Sequence, residues 1–211
     1  MFDFDGLILD TETPEFLAWQ EVFASYGARL TTVEWARVIG STDHGWDASS
    51  SIARQTGAVV SAADLRAVWK PRQSALLEVE TIRPGVLALL SAGRARGLSL
   101  GVASSSPRWW VEGNLTRLGI LSQFSAITTK DDVQRTKPDP AVYRLAVSRL
   151  AVPAASALAL EDSPNGVQAA HAAGLRCVAV PNDVSRHLDL TAADAVLESL
   201  EELDLDALPF G

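Results

Sequence analysis

Of the 211 residues, one is a cysteine (Cys177) and three are histidines (His44, His171 and His187). A single cysteine excludes an internal disulfide and fits a reducing, cytoplasmic setting. Cysteine and histidine together are too few for a zinc-type cluster. The sequence has no run of about 18 apolar residues, so no transmembrane helix is expected. The first residues carry Asp3 and Asp5 where a secretory signal would place basic residues ahead of an apolar stretch. Positive charge is also short: 18 Lys and Arg face 26 Asp and Glu, a formal net charge of -8. That balance argues against nucleic acid or an anionic membrane as partner. It favours a small or metal-chelated anionic substrate, held by local groups and not by a global field. What is present is ordinary for a folded chain: 47% apolar and 21% charged residues. The length allows one domain, or a core with a smaller insert. A monomer or weak homodimer is expected.

The periodicity divides the chain in two. Residues 15–26 carry Phe16, Trp19, Phe23 and Tyr26 at helical spacing, and Gly27 follows as a stop. Residues 32–39, 46–56 and 62–79 also read as helices, so 13–81 forms a small all-helical unit. From Arg83-Pro84-Gly85 onward, strands alternate with helices. Residues 98–103, 124–128, 157–160, 177–180 and 195–197 read as strands. Met1-Phe2 reads as the end of one more strand, either because it is short or because the true start lies upstream. The expected fold is α/β: a Rossmann-like parallel sheet core (1–12 and 82–211) covered by helices on both faces, with an inserted helical cap. Four of six tryptophans (Trp19, Trp35, Trp46 and Trp69) fall in the cap and read as packing between its helices. Trp109 and Trp110 follow a run of serines, where one of them would line an entrance.

Parallel sheets bind ligands beyond the carboxyl ends of their strands. Asp3 and Asp5, Ser104 to Ser106, and Glu161-Asp162 all fall at such ends. Asp3-x-Asp5-Gly6 reads either as a polar turn or as two carboxylates aimed into one site. In the second case Asp3 attacks an electrophile and Asp5 moves a proton. A cation between them and Asp162 would offset their repulsion, and oxygen ligands favour Mg²⁺. Ser104 reads as a helix cap, as a phosphoryl ligand, or as both. Lys137, between Thr136 and Pro138, is either a solvated lysine or a counter-charge for an aspartate and a phosphate.

The order Asp3-Phe4-Asp5-Gly6-Leu7, Asp10-Thr11-Glu12, Ser104, Lys137-Pro138 and Glu161-Asp162-Ser163-Pro164-Asn165-Gly166 resembles the haloacid dehalogenase-like superfamily. The similarity is greatest to the branch with beta-phosphoglucomutases and small-molecule phosphatases. The resemblance implies that Asp3 is a nucleophile forming an aspartyl-phosphate. It makes Asp5 the general acid/base, with its backbone carbonyl also on Mg²⁺. Ser104, with Ser105 beside it, and Lys137 become the phosphate-binding groups. Asp162 becomes a Mg²⁺ ligand, with Glu161 in an accessory or ligand role. Dehalogenases proper lack the second aspartate, so Asp5 implies phosphoryl transfer. The implied activity is Mg²⁺-dependent hydrolysis of a small phosphate monoester, with a sugar phosphate favoured. A phosphomutase and a non-catalytic phosphate-binding protein are the alternatives. Several positions depart from the mutase pattern. Glu15 stands where mutases carry a histidine, residues 41–44 contain no arginine, and Pro107-Arg108 replaces a lysine-asparagine pair. Glu15, the 41–44 segment with His44, and Arg108 are expected to face the space between cap and core and to set selectivity.

Overall fold

The computed structural model describes residues 1–36, 38–39 and 46–206. Its parallel sheet is built from short strands: β1 (Gly101–Ala103), β2 (Ala126–Thr128), β3 (Leu158–Glu161), β4 (Arg176–Ala179) and β5 (Ala195–Val196). β1 pairs with β2, and β3 pairs with β4, which pairs with β5, all in parallel. The N-terminal segment joins the two groups. Phe2 bridges Val102 on one side and Leu160 on the other. Phe2 donates its N–H to Gly101 (2.8 Å) and Asp3 donates its own to Leu160 (2.9 Å). Short as it is, this segment occupies the centre of the sheet, so Asp3 leaves from its middle.

Alternation along each strand sends large side chains to one face and small ones to the other. Val102, Leu160 and Val178 pack with helices α5 (Val86–Ala95) and α6 (Arg108–Arg117). Ala103, Ala159, Cys177 and Ala179 pack on α7 (Ala141–Leu150) and α8 (Pro164–Ala172). Both faces are therefore covered, as strand–helix alternation requires. Helix α8 starts with a sequence-coded cap: Ser163 accepts the Gly166 N–H at 3.2 Å, and Pro164 occupies the first turn. No helix among the described residues is long and apolar enough to cross a membrane.

The chain leaves the sheet through Gly6, whose φ of +77° is a left-handed conformation. It returns through residues 80–83. Leu9 and Ile82 pair antiparallel where the two connections run side by side. Between them lie α1 (Glu12–Ser25), α2 (Thr32–Ala36), α3 (Ala48–Thr56) and α4 (Ala62–Val79). These helices enclose Phe16, Trp19, Phe23, Trp35, Ile52 and Leu65. Trp19 stacks on Trp69 at 5.1 Å and meets Trp46 edge-on at 5.3 Å, so the cap tryptophans pack against one another. Val184 from the core inserts into the same cluster and seats the cap on the core.

Candidate active site

The polar groups predicted from the sequence meet at the carboxyl ends of the strands. A cavity of about 280 Å³ is lined there by Asp3, Asp5, Ser105, Ser106, Lys137 and Asp162, with Ile39 from the cap. An apolar groove of similar volume lies near Met1, Leu100 and Leu158, but no ionisable side chain among the described residues lines it. The chemistry therefore belongs to the first cavity.

Asp3, Glu161 and Asp162 are buried, and one oxygen from each lies within 4.8 Å of the others. Lys137 forms an ion pair with Asp3 and donates to Glu161 Oε1 at 2.6 Å. One cation thus faces three anions. Burial pushes the Asp3 carboxyl well up; Lys137 pulls it down, and Glu161, Asp162 and Asp5 add to the rise. Burial, then Glu161 and Glu12, push Asp162 the same way. Burial opposes the charge of Lys137, but Asp3 and Glu161 outweigh it and raise its pKa. The surplus negative charge and the all-oxygen donors fit a hard divalent cation such as Mg²⁺.

Within this trio the roles separate by hydrogen bonding. Glu161 is occupied: besides Lys137 it accepts from Tyr143 Oη at 2.5 Å, its neighbour's N–H at 3.2 Å and Ser163 at 3.4 Å. A Cβ at Gly166 would lie 1.9 Å from the Glu161 carboxylate, so the helix start must be glycine there. Asp162 is held from one side, by Asn182 Nδ2 at 2.9 Å. Asn182 also fixes the loop that seats the cap, accepting from the Val184 and Ser185 amides at 2.9 and 2.8 Å. Gly6 is likewise dictated by the site, since a Cβ on it would stand 2.1 Å from Asp162 Oδ2.

Asp5 lies on the other wall. Its Oδ2 accepts from Ser106 Oγ at 2.6 Å and from Ser104 Oγ at 3.4 Å, and its Oδ1 from Trp110 Nε1 at 2.8 Å. Ser104, expected at the phosphate, is fully buried beneath the cavity and takes the Ser106 N–H on its oxygen at 3.0 Å. Ser105 and Ser106, with Thr136 and Ser163, are the hydroxyl residues that line the space.

Of the expected selectivity residues, Glu15 is not among those lining the cavity, and Arg108 is not brought to it either. Its guanidinium bonds to Glu112 at 2.5 Å and Asp132 at 2.6 Å, on the outer side of α6. The Arg108–Glu112 spacing of four residues was the visible signal for that pairing. Glu15 is half-buried on α1; burial raises its pKa to about 7, Lys70 draws it back and Asp5 adds to the rise. Residues 41–44, including His44, lie outside the described residues. Four groups at or next to the site were not singled out from the sequence. Glu12 lines the cavity, Lys70 faces Glu15, and Asn182 and Tyr143 support Asp162 and Glu161. Glu12 alone had a signal, its place in Asp10-Thr11-Glu12.

Residues 1–180 match the family model described as haloacid dehalogenase-like hydrolase. The chain belongs to that family and is an enzyme of the hydrolase type. It is 43% identical to the YhcW protein of Bacillus subtilis (strain 168) over 208 residues, which span 99% of this chain and 94% of that protein. It is 30% identical to hexitol phosphatase B of Escherichia coli (strain K12) over 215 residues, 96% of this chain and 92% of that one. Among solved structures it resembles CbbY from Rhodobacter sphaeroides in complex with phosphate. That match has a TM-score of 0.70 and 31% identity, and covers 95% of this chain and 93% of the other.

Proposed function

We propose that this protein is a Mg²⁺-dependent phosphatase acting on a small phosphate monoester of a sugar or polyol. The observation carrying the proposal is the convergence of Asp3, Asp5, Lys137 and Asp162 on one cavity at the sheet's carboxyl edge. Asp3 attacks phosphorus and forms an aspartyl-phosphate while Asp5 gives a proton to the departing oxygen. Asp5 then takes a proton from the water that cleaves the intermediate. Lys137 offsets the charge of Asp3 and the phosphoryl oxygens, and Ser105 and Ser106 offer donors at the rim. Asp3, Asp162 and the Asp5 backbone carbonyl hold the ion. Glu161 orients Lys137, since its acceptors are already engaged. Bound Mg²⁺ supplies charge stabilisation to the phosphoryl oxygens.

The likeness to hexitol phosphatase B supports an alkyl phosphate as substrate. Glu12, on the cap side of the cavity, supports one phosphate over two, because a distal phosphate would meet an acid there. A panel of sugar and polyol phosphates, assayed for inorganic phosphate with Mg²⁺, tests the reading. Asp3→Asn should fold normally and lose turnover by roughly 10³-fold or more. Isomer formation without phosphate release would indicate the mutase. Folded wild-type protein inert on the whole panel would indicate the binding protein.

A further inference from the structure

We infer that Trp110 is a positioning residue for proton transfer: its indole N–H pins one oxygen of Asp5, so that the other carries the proton. This inference rests on the proposed phosphatase reading and deepens it. Trp110 Nε1 lies 2.8 Å from Asp5 Oδ1. An indole N–H only donates, so the oxygen it meets must accept, and a proton placed on that oxygen would weaken it as an acceptor. The two hydroxyls at Asp5 Oδ2, Ser106 and Ser104, can each donate or accept. A proton on Asp5 is therefore better accommodated at Oδ2 than at Oδ1. The terminal torsion of a free aspartate is broad and two-fold. Without the indole, the oxygens would exchange places and the proton would spend part of its time on the wrong side.

The indole is held firmly enough to do this. Trp110 sits in the first turn of α6, whose Val111 and Leu115 are fully buried. The start of that helix is fastened by the Arg108 N–H to Asp131 (2.8 Å) and by the Arg108 ion pair with Asp132. The Trp110 carbonyl accepts from Asn114 Nδ2 at 3.0 Å. The arginine expected to touch substrate thus serves to anchor the residue that orients Asp5. Its neighbour Trp109 is 73% exposed and meets Trp110 only edge-on.

The step concerned is the first transfer. An Asp3 oxygen bonds to phosphorus, the bond from phosphorus to the leaving oxygen breaks, and the proton on Asp5 Oδ2 passes to that oxygen. An alkyl leaving group needs this proton and a nitrophenolate does not. Orientation of Asp5 should therefore matter for alkyl phosphates above all.

The test compares kcat/KM of wild type and Trp110→Phe on a polyol phosphate and on p-nitrophenyl phosphate, with Mg²⁺. This parameter reports events up to release of the alcohol or phenol. The polyol phosphate should lose about 10- to 100-fold, part of the usual general-acid contribution, while the aryl ester loses less than about threefold. Trp110→His, which keeps a ring N–H, should recover part of the alkyl activity. Should Trp110→Phe fail to fold, benzothienylalanine at position 110 removes the N–H while keeping the bicyclic shape, and the same contrast is expected. Equal losses on both substrates, or none, would overturn the inference while leaving the phosphatase reading intact. Wild type inactive on both esters would overturn both.

Discussion

The cap and the active-site floor are both built around buried aromatic or polar groups, yet they hold together in opposite ways. In the cap, Trp19, Trp35, Trp46 and Trp69 meet face to edge or face to face, and the Trp35 and Trp69 indole nitrogens have no hydrogen-bond partner among the described residues. Dispersion and removal of apolar area from water carry that region. On the floor, Asp3, Glu161, Asp162 and Lys137 are buried, and each holds its place through specific donors. Buried charge costs stability unless it is paired, so the floor is the strained part and the cap the forgiving one. The lesson is a division of labour: uniform packing suffices for the covering unit, while the chemistry requires individually satisfied atoms.

Removing Lys137, the cation paired with Asp3 and Glu161, should break this contrast most severely. Lys137→Ala leaves Asp3 and Glu161 buried without their counter-charge, a loss of about 3–5 kcal/mol. Urea denaturation at pH 7 would measure it. The direction with pH follows from the raised Asp3 and Asp162 pKa values. A carboxyl raised in the folded state contributes stability below its unfolded pKa and loses it as pH rises through the folded one. Without Lys137, Asp3 is raised further, so the variant's deficit should shrink as the solution is made more acidic. A deficit unchanged from pH 7 to pH 5 would mean that Lys137 acts there as packing and not as charge.

Glu15 sharpens the comparison because it belongs to the cap but behaves like the floor. Burial holds its pKa at about 7 against an ordinary 4.5. Its contribution to stability is fully present below about pH 4.5 and lost as pH rises through about 7. Glu15→Gln should therefore flatten the fall in stability between pH 5 and pH 8. The expected difference is about 2 kcal/mol, reduced from the full shift because the side chain is only half-buried. Thermal melting of both proteins across that range checks it. Identical slopes would place Glu15 in solvent.

The sequence made the floor more legible than its supports. The parallel sheet follows from strand–helix alternation, and the clustering of Asp3, Asp5 and Asp162 follows from their places at strand ends, while Lys137 reaches them from the loop before α7. Strand lengths were overestimated, as residues 98–103 shrink to Gly101–Ala103, because an apolar run does not record where pairing begins. One of Trp109 and Trp110 is expected at an entrance, with nothing in the sequence to say which. The structure turns Trp110 inward. Arg108 went astray because an arginine beside a phosphate motif suggests a ligand, while Asp132, its partner, lies 24 residues away. Tyr143 and Asn182 were invisible for the same reason: each supports the site across a tertiary contact that no local spacing encodes.

A matched pair of small changes tests the contrast where the expected effects are least. Tyr143→Phe and Trp35→Phe each delete one polar atom from a buried aromatic ring. Tyr143 is fully buried and donates to Glu161 at 2.5 Å; burial and the charge of Glu161 raise its pKa, so the hydroxyl keeps its proton. Losing a hydrogen bond to a charged acceptor costs about 1.5–3 kcal/mol, and Glu161 is itself fully buried. Trp35 is 3% exposed, and its Nε1 has no partner among the described residues. Phenylalanine there relieves an unsatisfied donor and gives up part of a ring that stacks on Phe16 at 6.4 Å. These two terms oppose each other, so the net change should stay within about 1 kcal/mol. Parallel denaturation curves at pH 7 give both values. If Trp35→Phe costs as much as Tyr143→Phe, the cap holds its aromatic rings as specifically as the floor holds its charges, and the division between them fails.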